Sequence, residues 1–301
     1  MSTALRGTLL TLLATLIWSG NFIAARWFAG SIPPLTIAVL RWSCAAALVL
    51  PLAWRYLKAD WPVIRAHKGY YLLVSLLGVT GFNTLIYIAG HTTQAVNLSL
   101  ISTACTPLFM TTLGCLLLKE CASHRQILGM TMAFTGVALL LTKGDWQVLA
   151  DLRFAKGDLL MLVATLFFTT YSILMARRPG PTSQMGVFAV TFTMGLVGLL
   201  PLWALEIRFD PAFAFPDAGV FFRQWLPLGL YLGGGASLIA FFCWNKAVEY
   251  IGVARVGIVY LSLPAFAGAE ALVLLSEPLL PVHFISAACI ILGIFVAMRK
   301  A

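Results

Sequence analysis

The chain has 301 residues, 60% of them hydrophobic and only 10% charged, with a mean hydropathy of +0.93. That composition excludes an ordinary soluble domain. The formal net charge of +9 invites a nucleic-acid partner, but the basic residues form no patch, and no nucleic acid is expected.

About twenty apolar residues carry a helix across roughly 30 Å of hydrocarbon. Ten stretches approach that length: 8–28, 34–54, 70–89, 94–117, 124–142, 158–176, 184–205, 225–246, 253–275 and 280–298. They leave no room for a folded extramembrane domain, so the expected fold is an all-α integral membrane protein of ten transmembrane helices. The first stretch, after Arg6, exceeds a signal-peptide core and reads as an uncleaved helix.

In chain order, polar residues fall at helical spacing inside these stretches. The first carries Thr11, Thr15, Trp18 and Ser19, with Asn21 close by, and the second carries Arg41. The third offers Thr80, Asn83, Thr84 and Tyr87; the fourth Ser99, Ser102, Thr103, Thr106 and then Pro107. The sixth has Thr165, Thr169, Tyr171 and Ser172, the eighth Gly233 to Gly235, Ser237, Phe241 and Trp244, and the ninth Tyr260, Ser262, Pro264 and Glu270. Small polar residues commonly serve helix–helix contact. Asn, Tyr and Trp are too bulky for close approach and can instead line a cavity. Trp27, Trp42, Trp54 and Trp225, near span ends, read as interfacial anchors.

The fourth and fifth stretches are echoed by the ninth and tenth. Pro107, Glu120 and Gly136 recur at one constant offset as Pro264, Glu277 and Gly293, and Gly78 recurs as Gly235. Such a duplication divides the chain into a first repeat, 1–142, a connecting loop, 143–157, and a second repeat, 158–301. Five spans per repeat is an odd number, so the second enters the membrane from the opposite side. Inverted repeats of this kind are a transporter plan with a site near the midplane. Each proline removes a backbone donor and crowds the preceding turn, and their pairing makes Pro107 and Pro264 candidate hinges.

Basic residues set the orientation. Arg6, Arg55, Lys58, Arg65, Lys68, Lys119, Arg125, Arg177, Arg178, Lys246, Arg255, Arg299 and Lys300 fall on one side; Arg26, Lys143, Arg153, Lys156, Arg208 and Arg223 fall on the other. By the positive-inside rule both termini are cytoplasmic, as expected for a multi-pass protein of a bacterial inner (plasma) membrane.

Trp18-Ser19-Gly20-Asn21-Phe22, Pro34 followed by Leu40-Arg41-Trp42, and the two Pro…Glu…Gly blocks resemble the EamA-type branch of the drug/metabolite transporter superfamily. Within it the chain is most similar to YddG-type exporters of amino acids, especially aromatic ones. The resemblance covers nearly the whole chain. It implies ten helices, cytoplasmic termini and export of small metabolites.

These readings converge on a central substrate site bordered by Trp18, Asn21, Asn83, Tyr87, Tyr171, Trp244 and Tyr260. Arg41 and Glu270 are the ionisable residues well inside the spans, where a charge costs about 2.5–3.5 kcal/mol on the insertion scale. Arg41 can meet a carboxylate and Glu270 an ammonium group or a proton; a structural tie is the competing role for both. His91 is expected in a solvated turn, and Lys246 to reach the interface. The six cysteines, Cys44, Cys105, Cys115, Cys121, Cys243 and Cys289, show no CxxC or Cys/His ligand spacing, so they are expected to be buried and inert.

Secondary transport of small amphipathic metabolites, amino acids above all, is therefore the leading function, with membrane lipids as surroundings. Efflux of lipophilic cationic drugs is the alternative. An enzyme is not expected: His67, His91, His124 and His283 are scattered, no P-loop occurs, and no cofactor or metal is implied. Two fused repeats suffice for a pathway within a monomer, which leaves oligomeric state and energy coupling open.

Overall fold

The computed structural model describes residues 2–27, 32–90, 95–145, 147–150, 156–210, 213–274 and 281–299. All described elements are helical. Among the described residues, nine helices are long and apolar enough to cross a membrane. Their order begins with α1 (Thr3–Trp27) and α2 (Pro34–Ala66); α3 (Lys68–Ser75) then runs through a π-helical segment, Leu76–Gly81, into α4 (Phe82–Gly90). Next come α5 (Ala95–Leu113), continued by a π turn Gly114–Leu118, α6 (His124–Thr142) and the short α7 (Gln147–Ala150). After these come α8 (Lys156–Ala176) and α9 (Gln184–Phe209). A single long rod follows: α10 (Ala218–Val220), a π segment Phe221–Trp225, α11 (Leu226–Leu230), a second π segment Tyr231–Ile239, and α12 (Ala240–Ile251). The chain closes with α13 (Val253–Tyr260), α14 (Leu263–Leu274) and α15 (Pro281–Met298).

Apolar side chains face outward as well as inward. Leu116, Phe284 and Ile291 are at least 64% exposed, which would be costly in water and is neutral against lipid. The second helix is longer than its apolar stretch predicts, running through Arg55, Lys58 and Asp60 to Ala66. Asp60 explains the extension, because it is buried and engaged at the far end of another helix.

That engagement is reciprocal. Asp60 Oδ2 on α2 accepts the Ser183 N–H and hydroxyl at 2.9 and 2.6 Å, at the start of α9. Glu206, near the end of α9, accepts the Leu35 and Thr36 N–H groups at 2.8 and 2.9 Å, at the start of α2. The first N–H groups of any helix lack partners within the helix, and a nearby carboxylate also complements the helix dipole. Each helix of this antiparallel pair thus caps the other. Gly186 is required for the fit: a Cβ there would stand 2.3 Å from Asp60 Oδ2.

α6 and α15 form a second close pair. A Cβ on Gly129 would stand 2.4 Å from the Gly293 carbonyl, and one on Gly293 would stand 2.5 Å from the Gly129 carbonyl. Gly136 approaches the Ser286 carbonyl in the same way. Backbone meets backbone along this seam, the small-residue contact that membrane helices favour.

The two proline-bearing spans differ. Pro107 lies inside a continuous α5, whereas the ninth stretch breaks at Leu261–Ser262 and Pro264 sits in the first turn of α14. In the first turn proline costs no helical hydrogen bond. The equivalent of that break is therefore missing around Pro107. The cysteines also depart from expectation, because Cys115 and Cys121 are joined by a disulfide. The chain leaves the π turn through Lys119 in a left-handed conformation, and this reversal brings the two Cα atoms to 4.1 Å. Trp42 and Trp225 are not interfacial anchors: they are 0% and 8% exposed, because each packs against neighbouring helices. Trp54 is exposed.

Candidate functional site

At the centre, helices from both halves contribute aromatic rings to one buried cluster. Trp18 on α1 meets Phe168 on α8 edge-on at 5.6 Å, Phe241 on α12 at 5.6 Å, Trp244 at 5.1 Å and Tyr260 on α13 at 6.3 Å. Trp42 on α2 meets Phe192 on α9 at 4.9 Å, and Phe241 ties this pair to the rest. Tyr171 stacks beside Phe168. Each such pair contributes about 0.5–1.5 kcal/mol beyond its buried area.

The cluster is also threaded by hydrogen bonds that fix its polar edges. Trp244 Nε1–H donates to Ser172 Oγ at 3.0 Å, and the Asn245 amide donates to the Tyr171 hydroxyl at 3.2 Å. Tyr260 and Ser102 share a bond at 3.4 Å, joining α13 to α5. Trp18 Nε1–H donates to the Ala236 carbonyl at 2.8 Å. Ala236 lies in the π segment Tyr231–Ile239, whose widened turn leaves its carbonyl available to neighbours; such segments frequently mark functional sites. Gly78, in the π segment of the first half, lets the Tyr171 ring lie where a Cβ would stand 2.3 Å away.

Trp18, Tyr171, Trp244 and Tyr260 are therefore brought together. Asn83 is buried, its Nδ2 donating to Val79 O at 2.6 Å. The Asn21 and Tyr87 side chains fall outside the described residues, as do His91 and Glu277 altogether. Phe168, Phe192 and Trp42 belong to the cluster and were not among the expected site residues. A signal for them exists: Ala14-Thr15-Leu16 recurs as Ala164-Thr165-Leu166, which sets Phe168 at the position of Trp18, and the same register sets Phe192 at Trp42. The repeated positions touch each other.

The two expected charges sit beside the cluster. Arg41 is buried; its Nε–H donates to Ser237 Oγ at 2.6 Å, its Nη2 to the Ala236 carbonyl at 3.3 Å, and its guanidinium lies over the Trp42 ring. These contacts tie α2 to the π segment. Glu270 on α14 places Oε1 2.8 Å from the Ser19 hydroxyl, whose one proton is shared between that oxygen and the Leu16 carbonyl at 2.6 Å. Its Oε2 is buried without a hydrogen-bond partner, as are Asn83 Oδ1, Asn245 Oδ1 and Trp42 Nε1. Both Asn nitrogens face backbone carbonyls, which fixes the amide orientation and leaves the oxygens as the open atoms. Orphaned buried groups in a packed centre are places a ligand or water can satisfy.

At the end marked by basic residues, several ties cross between elements. Arg178 pairs with Glu249 at 2.8 Å, and Lys246 with Glu249 at 2.7 Å. Glu120 Oε2 accepts the Val253 N–H at 3.3 Å, capping α13, and the Tyr70 hydroxyl donates to the Leu174 carbonyl. No group of three His, Cys, Asp or Glu among the described residues is placed to hold a metal.

A buried centre made by many apolar helices, with a few placed polar atoms, has the make-up of a small-molecule site within a membrane protein. The EamA-like transporter family matches residues 5–142 and 155–299, and the chain belongs to it. An uncharacterised transporter of Bacillus subtilis (strain 168), YyaM, is 24% identical over 294 residues, covering 95% of this chain and 92% of its own. A probable amino-acid metabolite efflux pump of Escherichia coli (strain K12) is 22% identical over 289 residues, covering 95% and 93%. A solved crystal structure superposes on 97% of this chain and 96% of its own with a TM-score of 0.75 at 20% identity, a likeness of fold.

Proposed function

We propose that this transporter exports small amphipathic metabolites, amino acids including aromatic ones among them, by alternating access in a bacterial plasma membrane. In this reading α1 is the tenth membrane helix, both termini are cytoplasmic, and the chain is two inverted repeats, 1–142 and 158–301. Reciprocal contacts support the inversion. Gly129 faces Gly293 while Gly136 faces Ser286, the arrangement a two-fold axis in the membrane plane produces. α2 and α9 cap one another, and Trp18 meets its repeat equivalent Phe168.

The observation that carries the substrate class is the aromatic cluster bordered by orphaned polar atoms. Rings offer an apolar partner for an aromatic side chain, and the polar atoms offer places for its ionic end. A relative named as a probable amino-acid metabolite efflux pump points the same way. The Arg178, Glu249 and Glu120 ties suit a state closed at the cytoplasmic end. Efflux of lipophilic cations is the second reading, favoured by the unpartnered carboxylate oxygen of Glu270.

Proteoliposomes preloaded with unlabelled phenylalanine test the first reading. The purified protein should drive counterflow accumulation of labelled phenylalanine that excess tryptophan or tyrosine competes away. Accumulation of a labelled lipophilic cation without any amino acid counterflow would transfer the assignment to the second reading.

A further inference from the structure

Resting on the exporter reading, we infer that Glu270 Oε2 is the atom that recognises the substrate's ammonium group. The two intramembrane charges are placed differently. The Arg41 guanidinium is committed to Ser237 Oγ, the Ala236 carbonyl and the Trp42 face, all parts of the protein that hold α2 against the π segment. Glu270 uses one oxygen for Ser19 and keeps the other buried and open.

The surroundings of that oxygen fit a cation with several N–H donors. Where a Cβ on Gly20 would stand, the Tyr231 hydroxyl is 2.1 Å away and Glu270 Oε2 3.8 Å away. The Tyr231 hydroxyl thus fills the ground that the glycine leaves, with Glu270 Oε2 beside it. The Tyr231 hydroxyl donates its own proton to the Ile17 carbonyl at 2.8 Å, so its oxygen is left with lone pairs to accept. A primary ammonium can donate to both oxygens. Ser19 adjoins Trp18 in α1, which carries the ammonium point to the edge of the aromatic cluster. The site therefore takes amphipathic primary ammonium compounds, with the α-carboxylate of an amino acid tolerated rather than required.

Binding to the full-length protein in nanodiscs tests this by calorimetry with phenylalanine, 2-phenylethylamine (ring and ammonium) and 3-phenylpropanoate (ring and carboxylate). Wild type should bind both ammonium compounds and bind 3-phenylpropanoate at least tenfold more weakly. Glu270→Gln keeps an acceptor for the Ser19 hydroxyl and removes only the charge. It should weaken both ammonium compounds at least tenfold and leave the carboxylate unaffected or strengthened. Gly20→Ala leaves the charge but displaces the Tyr231 hydroxyl, and should weaken 2-phenylethylamine severalfold. A merely structural Glu270 would be satisfied by Gln, so equal amine affinity in wild type and Glu270→Gln overturns the inference while the exporter reading stands. Wild type that binds 2-phenylethylamine in a Glu270-dependent way but neither binds nor transports phenylalanine supports the ammonium point and overturns the amino-acid reading. Wild type that binds neither ammonium compound overturns both.

Discussion

α5 and the pair α13–α14 occupy matching places in the two halves, yet they are built differently. α5 runs unbroken through Pro107, while its counterpart breaks at Leu261–Ser262 just before Pro264. The position that holds Glu270 in the second half is Leu113 in the first. What the halves share, the glycine seam and the mutual helix caps, builds the frame. What they do not share, a broken helix and a lone carboxylate, marks where the chain has specialised. Substitutions can separate the two sets.

Frame positions should show the largest effects. Gly129→Val and Gly293→Val each force a side chain onto the opposing backbone, and overpacking of this kind costs about 1–3 kcal/mol or more. Thermal unfolding of the purified protein should fall by similar amounts for both, because each glycine faces the other. A large loss from one alone would break the equivalence of α6 and α15.

The caps come next. Asp60→Ala and Glu206→Ala should each lower stability by about 0.5–2 kcal/mol, the range for a lost helix cap. The double variant should cost roughly the sum, since the caps sit at opposite ends of the α2–α9 pair. Denaturation that left either variant as stable as wild type would reduce these carboxylates to incidental contacts.

Much of the frame was legible in the sequence, because hydrophobic length and a repeated Pro…Glu…Gly pattern depend only on local composition and spacing. Four of the expected site residues, Trp18, Tyr171, Trp244 and Tyr260, do come together, since bulk and polarity inside an apolar helix are visible in one dimension. Other features depend on the partner helix. Asp60 looks like the polar end of a span until Ser183 is placed beside it. Trp42 looks like an anchor until Phe192 covers it. The Cys115–Cys121 disulfide escaped because it needs a chain reversal that no CxxC spacing announces.

Proline substitutions probe the unshared set. Pro264→Ala removes the residue that favours a new start at α14 and should let α13 extend through the break. Pro107→Ala adds a donor to a helix that is already continuous. In an inverted pair the two should bias access in opposite directions, with the larger shift from Pro264→Ala. Thiol labelling of single cysteines at the two mouths reads the direction; a shift the same way for both would contradict the inversion. The smallest effect belongs to Glu249→Gln. It removes two partly exposed ion pairs, each worth about 0–1 kcal/mol, and should raise labelling at the mouth marked by basic residues only a fewfold.

Phenylalanine counterflow in proteoliposomes carrying Trp18→Phe, compared with Trp54→Phe, tests most directly that the route passes through the aromatic centre between the halves. Trp18→Phe keeps a ring but loses the hydrogen bond to the Ala236 carbonyl, whereas Trp54 is exposed on the surface of α2. The expected result is counterflow reduced at least tenfold by Trp18→Phe and unchanged by Trp54→Phe, with both proteins equally stable. Equal counterflow in the two variants would place the route elsewhere and contradict the account.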